Sequence, residues 1–188
     1  MGDSALVPAS QTAVDAQPER RLIERPAAMM EAIQRAAMDP ACDVAKMQAL
    51  LDMAERMQAT ASRIEFFAAL SRIQEKMPII TKDERTEVSG VVRNRFASLK
   101  NIHKVTGPLM AEEGFALSFD SAEAGPKMTV FGVLSHAGGH SEKKQITLAY
   151  DTSGSKNGTQ SGGSTFSYGQ RYLTKMFLNI VDDGEDTD

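Results

Sequence analysis

FALSFDSAEAGPKMTVFGVLSHAGGHSEKKQITLAYD, residues 115–151, decides the fold. Three stretches in it alternate apolar and polar side chains: FALSFD (115–120), KMTVFGVLSH (127–136) and EKKQITLAYD (142–151). The gaps between them, SAEAGP and AGGHS, are short and rich in turn residues. Parallel strands need crossovers of about a dozen residues or more, so such gaps predict an antiparallel meander. In the third stretch Ile146, Leu148 and Tyr150 point one way and Lys143, Gln145 and Thr147 the other, which leaves one face for solvent or a ligand.

On the N-terminal side the chain reads as helix. From Asp43, a good N-cap residue, the pattern runs without Gly or Pro to Met77 and stops at Pro78. Met47, Leu50, Ala54, Met57, Ala61 and Ile64 recur at alternating steps of three and four, a heptad-like seam. The seam suits either an intramolecular core or a neighbouring subunit, and its methionines favour adaptable packing. A shorter helix is predicted from Ala27 to Met38, stopped at Asp39 and Pro40. Residues 1–26 are rich in Ala, Gln, Pro and charge, lack a sustained apolar period, and read as a disordered arm.

After Pro78, IITKDERTEVSGV reads as an irregular strand or loop. A helix over about 94–106 follows, with Phe96, Leu99, Ile102 and Val105 on its apolar side and Arg93, Lys100 and Lys104 as a basic ridge opposite. Gly107 and Pro108 interrupt it, and LMAEEG forms a further turn ending at Gly114. TSGSKNGTQSGGS (152–164) reads as a mobile loop, with the closing helix starting near Ser164 or Thr165. There is no internal repeat. Helices, a meander and a last helix make the fold α+β, with a long N-terminal helix ahead of the sheet.

A chain of 188 residues holds one modest core with appendages. Its longest apolar runs, such as Phe66 to Leu70, are far too short to span a bilayer, and MGDSALVPAS lacks the basic and apolar regions of a secretory signal. Cys42 is the single cysteine, which excludes an internal disulfide and a cysteine-rich zinc site and suits a reducing cytoplasm. The net charge of −4 conceals a division: residues 1–60 carry −3, residues 61–181 carry +4 and residues 182–188 carry −5. A mildly basic body thus has an acidic tail.

On a helical wheel the closing helix places Tyr168, Arg171, Tyr172 and Lys175 together and Leu173, Met176, Phe177 and Ile180 on the other half. Two rings beside two cations are what single-stranded nucleic acid uses, because bases stack on rings and phosphates meet cations. The rival reading makes the tyrosines half-buried packing groups and pairs Arg171 with an acid. No G-x-x-x-x-G-K-[ST] string occurs, which argues against an NTPase. His136 and His140 flank a turn, with His103 as the only other histidine, and lack the spacing of a zinc site. The acids Asp182, Asp183, Glu185 and Asp186 sit in a terminal tail without the rigid frame that two-metal hydrolysis needs. No catalytic residue, metal or cofactor is expected.

QSGGSTFSYGQRYL (160–173), followed by Asp182 and Asp183, resembles the signature of the ERF (essential recombination function) family of phage single-strand annealing proteins. FFAALSRIQEKMP (66–78), RFASLKNIHKVTGPLMAEEGFALSF (95–119) and SHAGGHSE (135–142) resemble the same family in the same order, so the likeness covers roughly 64–186. The chain departs from it at Phe96, where Tyr is common, at Ser167, where Thr is frequent, and in the Gly- and Ser-rich loop.

The resemblance implies a curved antiparallel sheet backed by helices, related to the Rad-type and RecT-type annealing proteins. It implies a non-enzymatic, ATP-independent protein that coats single-stranded DNA, pairs complementary strands through an annealed duplex intermediate, and assembles as a homo-oligomeric ring or filament. A single-strand-binding protein or an exonuclease is a compatible further partner, and the setting is the cytoplasm of a bacterial host, with a phage or prophage gene. The groove is assigned to Arg93, Lys100, Lys104, Lys143, Lys144, Tyr168, Arg171, Tyr172 and Lys175. The expected organisation is an arm (1–26), a helical region suited to oligomerisation (27–63), an annealing core (64–181) and an acidic tail (182–188). The alternative is an assembly or adaptor protein that acts through its long helix.

Overall fold

The computed structural model describes residues 18–40, 42–88, 90–154 and 156–183, and the backbone alone at 18–27, 88, 93 and 124. The chain divides into two units that meet between Ala61 and Ser62.

The first unit holds α1 (Pro18–Met38) and the N-terminal half of α2 (Val44–Lys76). α1 starts nine residues before the predicted Ala27, so the part of the expected arm from Pro18 onward is helical; residues 1–17 lie outside the described residues. Proline is favoured at a first helical position, and Glu, Arg and Leu are strong helix formers. Pro26 lies inside the helix. Asp43 caps α2, its Oδ1 accepting from the Ala45 N–H at 3.1 Å. A cavity of about 260 Å3 between the helices is lined by Met29 and Met30 of α1 and Ala54 and Met57 of α2.

The half-buried seam of α2 runs through Met47, Leu50, Ala54, Met57 and Ala61 and then changes register. The buried stripe of its C-terminal half is Ser62, Phe66, Ala69 and Ile73, and Ile64, predicted to extend the seam, is 50% exposed. A step of one residue is about 100° of rotation, so the helix serves two separate faces.

In the second unit β1 (Glu84–Val88) and β2 (Val91–Phe96) form an antiparallel hairpin where an irregular strand or loop was predicted. Asn94 and Phe96 are therefore strand residues, and α3 (Leu99–Glu112) starts only after Ser98, whose hydroxyl accepts from the Asn101 N–H at 3.1 Å. The predicted basic ridge fails as a helix face, because Arg93 stands on β2 while Lys100 and Lys104 stand on α3. α3 also runs through Pro108, where a break was expected. Ile102, Thr106 and Met110, buried at steps of four on one side of it, outweigh the lost backbone bond.

β3 (Phe115–Ala124), β4 (Lys127–His136) and β5 (Ser141–Ala149) make the predicted antiparallel meander in that spatial order. Registers such as Leu117↔Leu134 and Val130↔Ile146 put the apolar set on one face. α4 (Gly158–Leu178) covers that face with Leu173 and Phe177, and Phe66, Ile73 and Ile102 complete the core. Contact is close at two glycines. A Cβ on Gly169 would lie 2.5 Å from Val130 Cγ2, and one on Gly132 would lie 2.9 Å from Phe177 Cε2. Only glycine lets helix and strand approach this far.

α4 begins six residues before the predicted Ser164, so residues 158–164 of the expected mobile loop form about its first two turns. Asn157 and Gln160 form a capping box: the Gln160 N–H donates to Asn157 Oδ1 at 2.9 Å, and the Asn157 N–H to Gln160 Oε1 at 3.1 Å. Asp151 gathers the Lys156 ammonium and the hydroxyls of Ser153 and Ser164, which hold its carboxyl well below the usual range. Met176, assigned to the apolar half, is 43% exposed.

The predicted acidic tail is tied down where it is described. Ile80 and Asp182 form a parallel bridge, the Asp183 N–H donates to the Ile80 carbonyl at 3.0 Å, and Asp183 Oδ1 accepts from the Lys82 N–H at 2.6 Å. Residues 184–188 lie outside the described residues.

Candidate nucleic-acid interface

Gly169 fixes which side of α4 meets the sheet, and the other side carries Tyr168 and Tyr172, 42% and 38% exposed. They are one helical turn apart, with ring centroids at 4.8 Å and hydroxyls hydrogen-bonded at 3.0 Å. That bond, then partial burial, raises the Tyr172 phenol above its ordinary value. The Arg171 guanidinium lies 4.3 Å from the Phe96 ring centroid on β2 and 4.4 Å from that of Tyr168, with Tyr172 at 6.0 Å. Each ring contact contributes about 0.5–2 kcal/mol, more as water is excluded. No described carboxylate pairs with Arg171, so the acid partner of the rival reading is replaced by rings. Stacking uses the guanidinium face and leaves its edge donors for an anion.

The other expected groove cations divide. Lys175 donates to Asp182 Oδ2 at 2.5 Å, while Asp182 Oδ1 is buried without a hydrogen-bond partner. Lys144 donates to the Met176 carbonyl at 2.7 Å and lies over the Phe177 ring at 5.2 Å, so it pins α4 to β5. Lys143 alternates to the uncovered sheet face opposite Val133. Strand periodicity separates these neighbours, and one shared groove for both is not built within one copy.

Lys100 and Lys104 are exposed on α3. Lys100 stands close enough to Asp83 to contribute to its lowered carboxyl pKa, although the leading cause is the hydrogen bond from the Ser98 N–H at 2.7 Å. Asp83 also accepts from the Ser98 hydroxyl at 2.7 Å, and so fastens the base of the hairpin to α3. Arg93 belongs to the hairpin by its backbone, and its side chain is outside the described groups. The structure thus brings together Tyr168, Arg171 and Tyr172, sets Lys175 beside them in an ion pair, and separates Lys143 from Lys144.

Two residues escaped the sequence reading. Phe96 was placed on a helix, and it forms one wall of the Arg171 sandwich. Arg95, exposed on β2 directly across from Arg85, was not considered. The Ser-Gly dipeptide at 89–90, between two β-branched runs, was the available hairpin signal.

His136 and His140 are structural. The Gly138 N–H donates to His136 Nδ1 at 3.1 Å, which leaves the proton on Nε2 to donate to the Glu113 carbonyl at 3.1 Å. His140 pairs through Nε2 with Glu142 at 3.0 Å, and its ring stands edge-on to Phe66. Among the described residues no group of three or more His, Cys, Asp or Glu is placed to hold a metal, and no helix is long and apolar enough to cross a membrane.

The family model of the ERF superfamily matches residues 66–188, which spans all of the second unit but its first four residues. No curated protein and no solved structure matches the chain.

Proposed function

Because the chain belongs to the ERF superfamily, a family of phage recombination and single-strand annealing proteins, we propose that it binds single-stranded DNA and pairs complementary strands without ATP. The observation that carries this reading is the Arg171 sandwich: a cation held between Phe96 and Tyr168 beside a half-exposed Tyr172. Annealing breaks no covalent bond, so a protein need only screen the phosphates, hold bases extended and let base pairing supply the driving free energy. Arg171 presents donor edges to phosphate, and the two tyrosines offer ring surface to bases, each stacked base contributing about 1–3 kcal/mol. Lys100 and Lys104 extend the positive surface from α3. Lys175 joins when phosphate displaces Asp182, an exchange of one anion for another. Arg93 on the hairpin, Lys143 on the open sheet face and Lys144 at the α4–β5 seam complete the candidate set, and reach a common strand only through neighbouring copies. Binding through phosphates weakens steeply with salt, because counterions released on binding must be recaptured.

The test is the rate at which two labelled complementary oligonucleotides pair when the protein is added without nucleotide or metal. Acceleration that fades with salt is expected, with Arg171→Ala losing at least about tenfold, the order of one or two lost charge-assisted bonds. Arg171→Lys keeps the charge and loses the stack, so it separates phosphate contact from ring support. A folded protein that leaves the spontaneous rate unchanged would overturn the proposal in favour of an assembly or adaptor role.

A further inference from the structure

α4 ends in a turn that sends the chain back toward its own cations. Asn179 takes the left-handed conformation at a φ of 53°, which asparagine tolerates, and its N–H and that of the buried Ile180 both donate to the Lys175 carbonyl. The next residues form a strap along the segment before β1. The Ile80 N–H donates to the Val181 carbonyl at 3.2 Å, and Asp183 is held by the Ile80 carbonyl and the Lys82 N–H. Asp182 is therefore positioned from both sides.

Its carboxylate faces Lys175, and the two side chains are 15% and 27% exposed. Oδ2 takes the ammonium, whereas Oδ1 is buried without a hydrogen-bond partner. A buried carboxylate oxygen left unpaired costs free energy, so Asp182 holds Lys175 without being fully satisfied itself. Its charge also reaches the aromatic patch. The Tyr172 phenol, raised first by its hydrogen bond to Tyr168 and then by burial, is lowered by Arg171 and raised by Asp182. The sequence runs on into Glu185, Asp186 and Asp188, which adds negative charge after the strap.

We propose that Asp182 is a built-in phosphate mimic, a latch that keeps Lys175 occupied until a chain of phosphates displaces it. The inference rests on the phosphate contacts proposed for Arg171 and Lys175. A lone phosphate has little advantage over a carboxylate tethered at high effective concentration. A strand engages both cations together: they stand one helical turn apart, about 6 Å between Cβ atoms, so neighbouring phosphates reach both. The latch therefore yields to a polyanion and resists a single ion. Release also relieves the unpaired Oδ1, which regains water when Asp182 swings out.

Binding of an oligothymidine strand and of inorganic tripolyphosphate to the full chain at low salt reads the outcome. Asp182→Asn is expected to bind both about two- to fivefold more tightly than wild type, the order of one partly screened ion pair. The gain should fade as salt is added. In a Lys175→Met background the same substitution should gain nothing, because the latch acts through that ammonium. In the wild-type chain the Asp182 carboxyl-carbon resonance should shift as tripolyphosphate saturates and stay in place with orthophosphate at equal total phosphate. Asp182→Asn no tighter than wild type, an equal gain without Lys175, or a resonance that ignores tripolyphosphate or answers orthophosphate equally would each overturn the proposal. Tripolyphosphate that follows the expected pattern while oligothymidine binds no variant would keep the latch and sink the annealing reading instead.

Discussion

The β1–β2 hairpin and the β3–β4–β5 sheet are both antiparallel strands joined by short turns, yet they are held by different forces. The sheet lies under α4 with Val130 and Leu134 fully buried, and the glycines at 132 and 169 bring helix and strand into contact. The hairpin has no buried strand residue among those described and is fastened at its base by Asp83 and by the Phe96–Arg171 stack. One is stabilised by a shared core and the other by a few polar and cation–ring contacts. Local order follows accordingly: the sheet opens only with the whole unit, and the hairpin can loosen by itself.

The largest expected loss is in the sheet. Leu134→Ala removes a fully buried side chain and should cost about 2–5 kcal/mol in denaturant unfolding. Gly169→Ala should follow with about 1–3 kcal/mol, because the new methyl meets Val130 and helix and strand must separate. A stability loss under 0.5 kcal/mol there would mean that the close approach is not needed.

Acid should act on both regions at once. Asp151 beside α4, Glu113 paired with Arg72 and Asp83 at the hairpin base all have carboxyls held below their ordinary values. The stability they contribute is complete above the unfolded carboxylate range near pH 4 and is lost as pH falls through the lower folded-state values. The melting temperature should therefore drop on acidification below about pH 4, and Asp151→Asn should flatten that drop. Phe96→Ala should cost about 0.5–2 kcal/mol locally by removing one wall of the Arg171 sandwich. Its signature is faster amide exchange in 84–96 with sheet protection unchanged. Smallest of all is Thr86→Ser on the exposed strand β1, expected within about 0.5 kcal/mol of wild type.

The meander was legible because alternation has a period of two and its gaps are too short for crossovers. The closing helix was legible in its aromatic and basic side, and its first two turns were missed although Asn157 and Gln160 spell a capping box. Glycine and serine between them read as loop, and the helix forms because Ser161, Thr165 and Gly169 are buried against the sheet. The hairpin was read only as an irregular strand or loop, and its second strand was given to a helix because Phe96 also fits the helical spacing of Leu99 and Ile102; sequence spacing alone does not choose between the periods. That choice moved Phe96 from the side of a helix to the wall of the Arg171 site.

By itself the sequence determined the α+β class, the antiparallel order of the meander, the set of side chains at 168, 171 and 172, and the ERF family that residues 66–188 match. These depend on local periodicity and on a contiguous motif. Tertiary structure decided that Arg171 is stacked between rings from two elements, that Lys175 is held by Asp182 and that Lys143 and Lys144 face opposite sides of the sheet. Such contacts join residues up to 75 positions apart, as Phe96 and Arg171 show, and only the packing of α4 on the sheet brings them within reach.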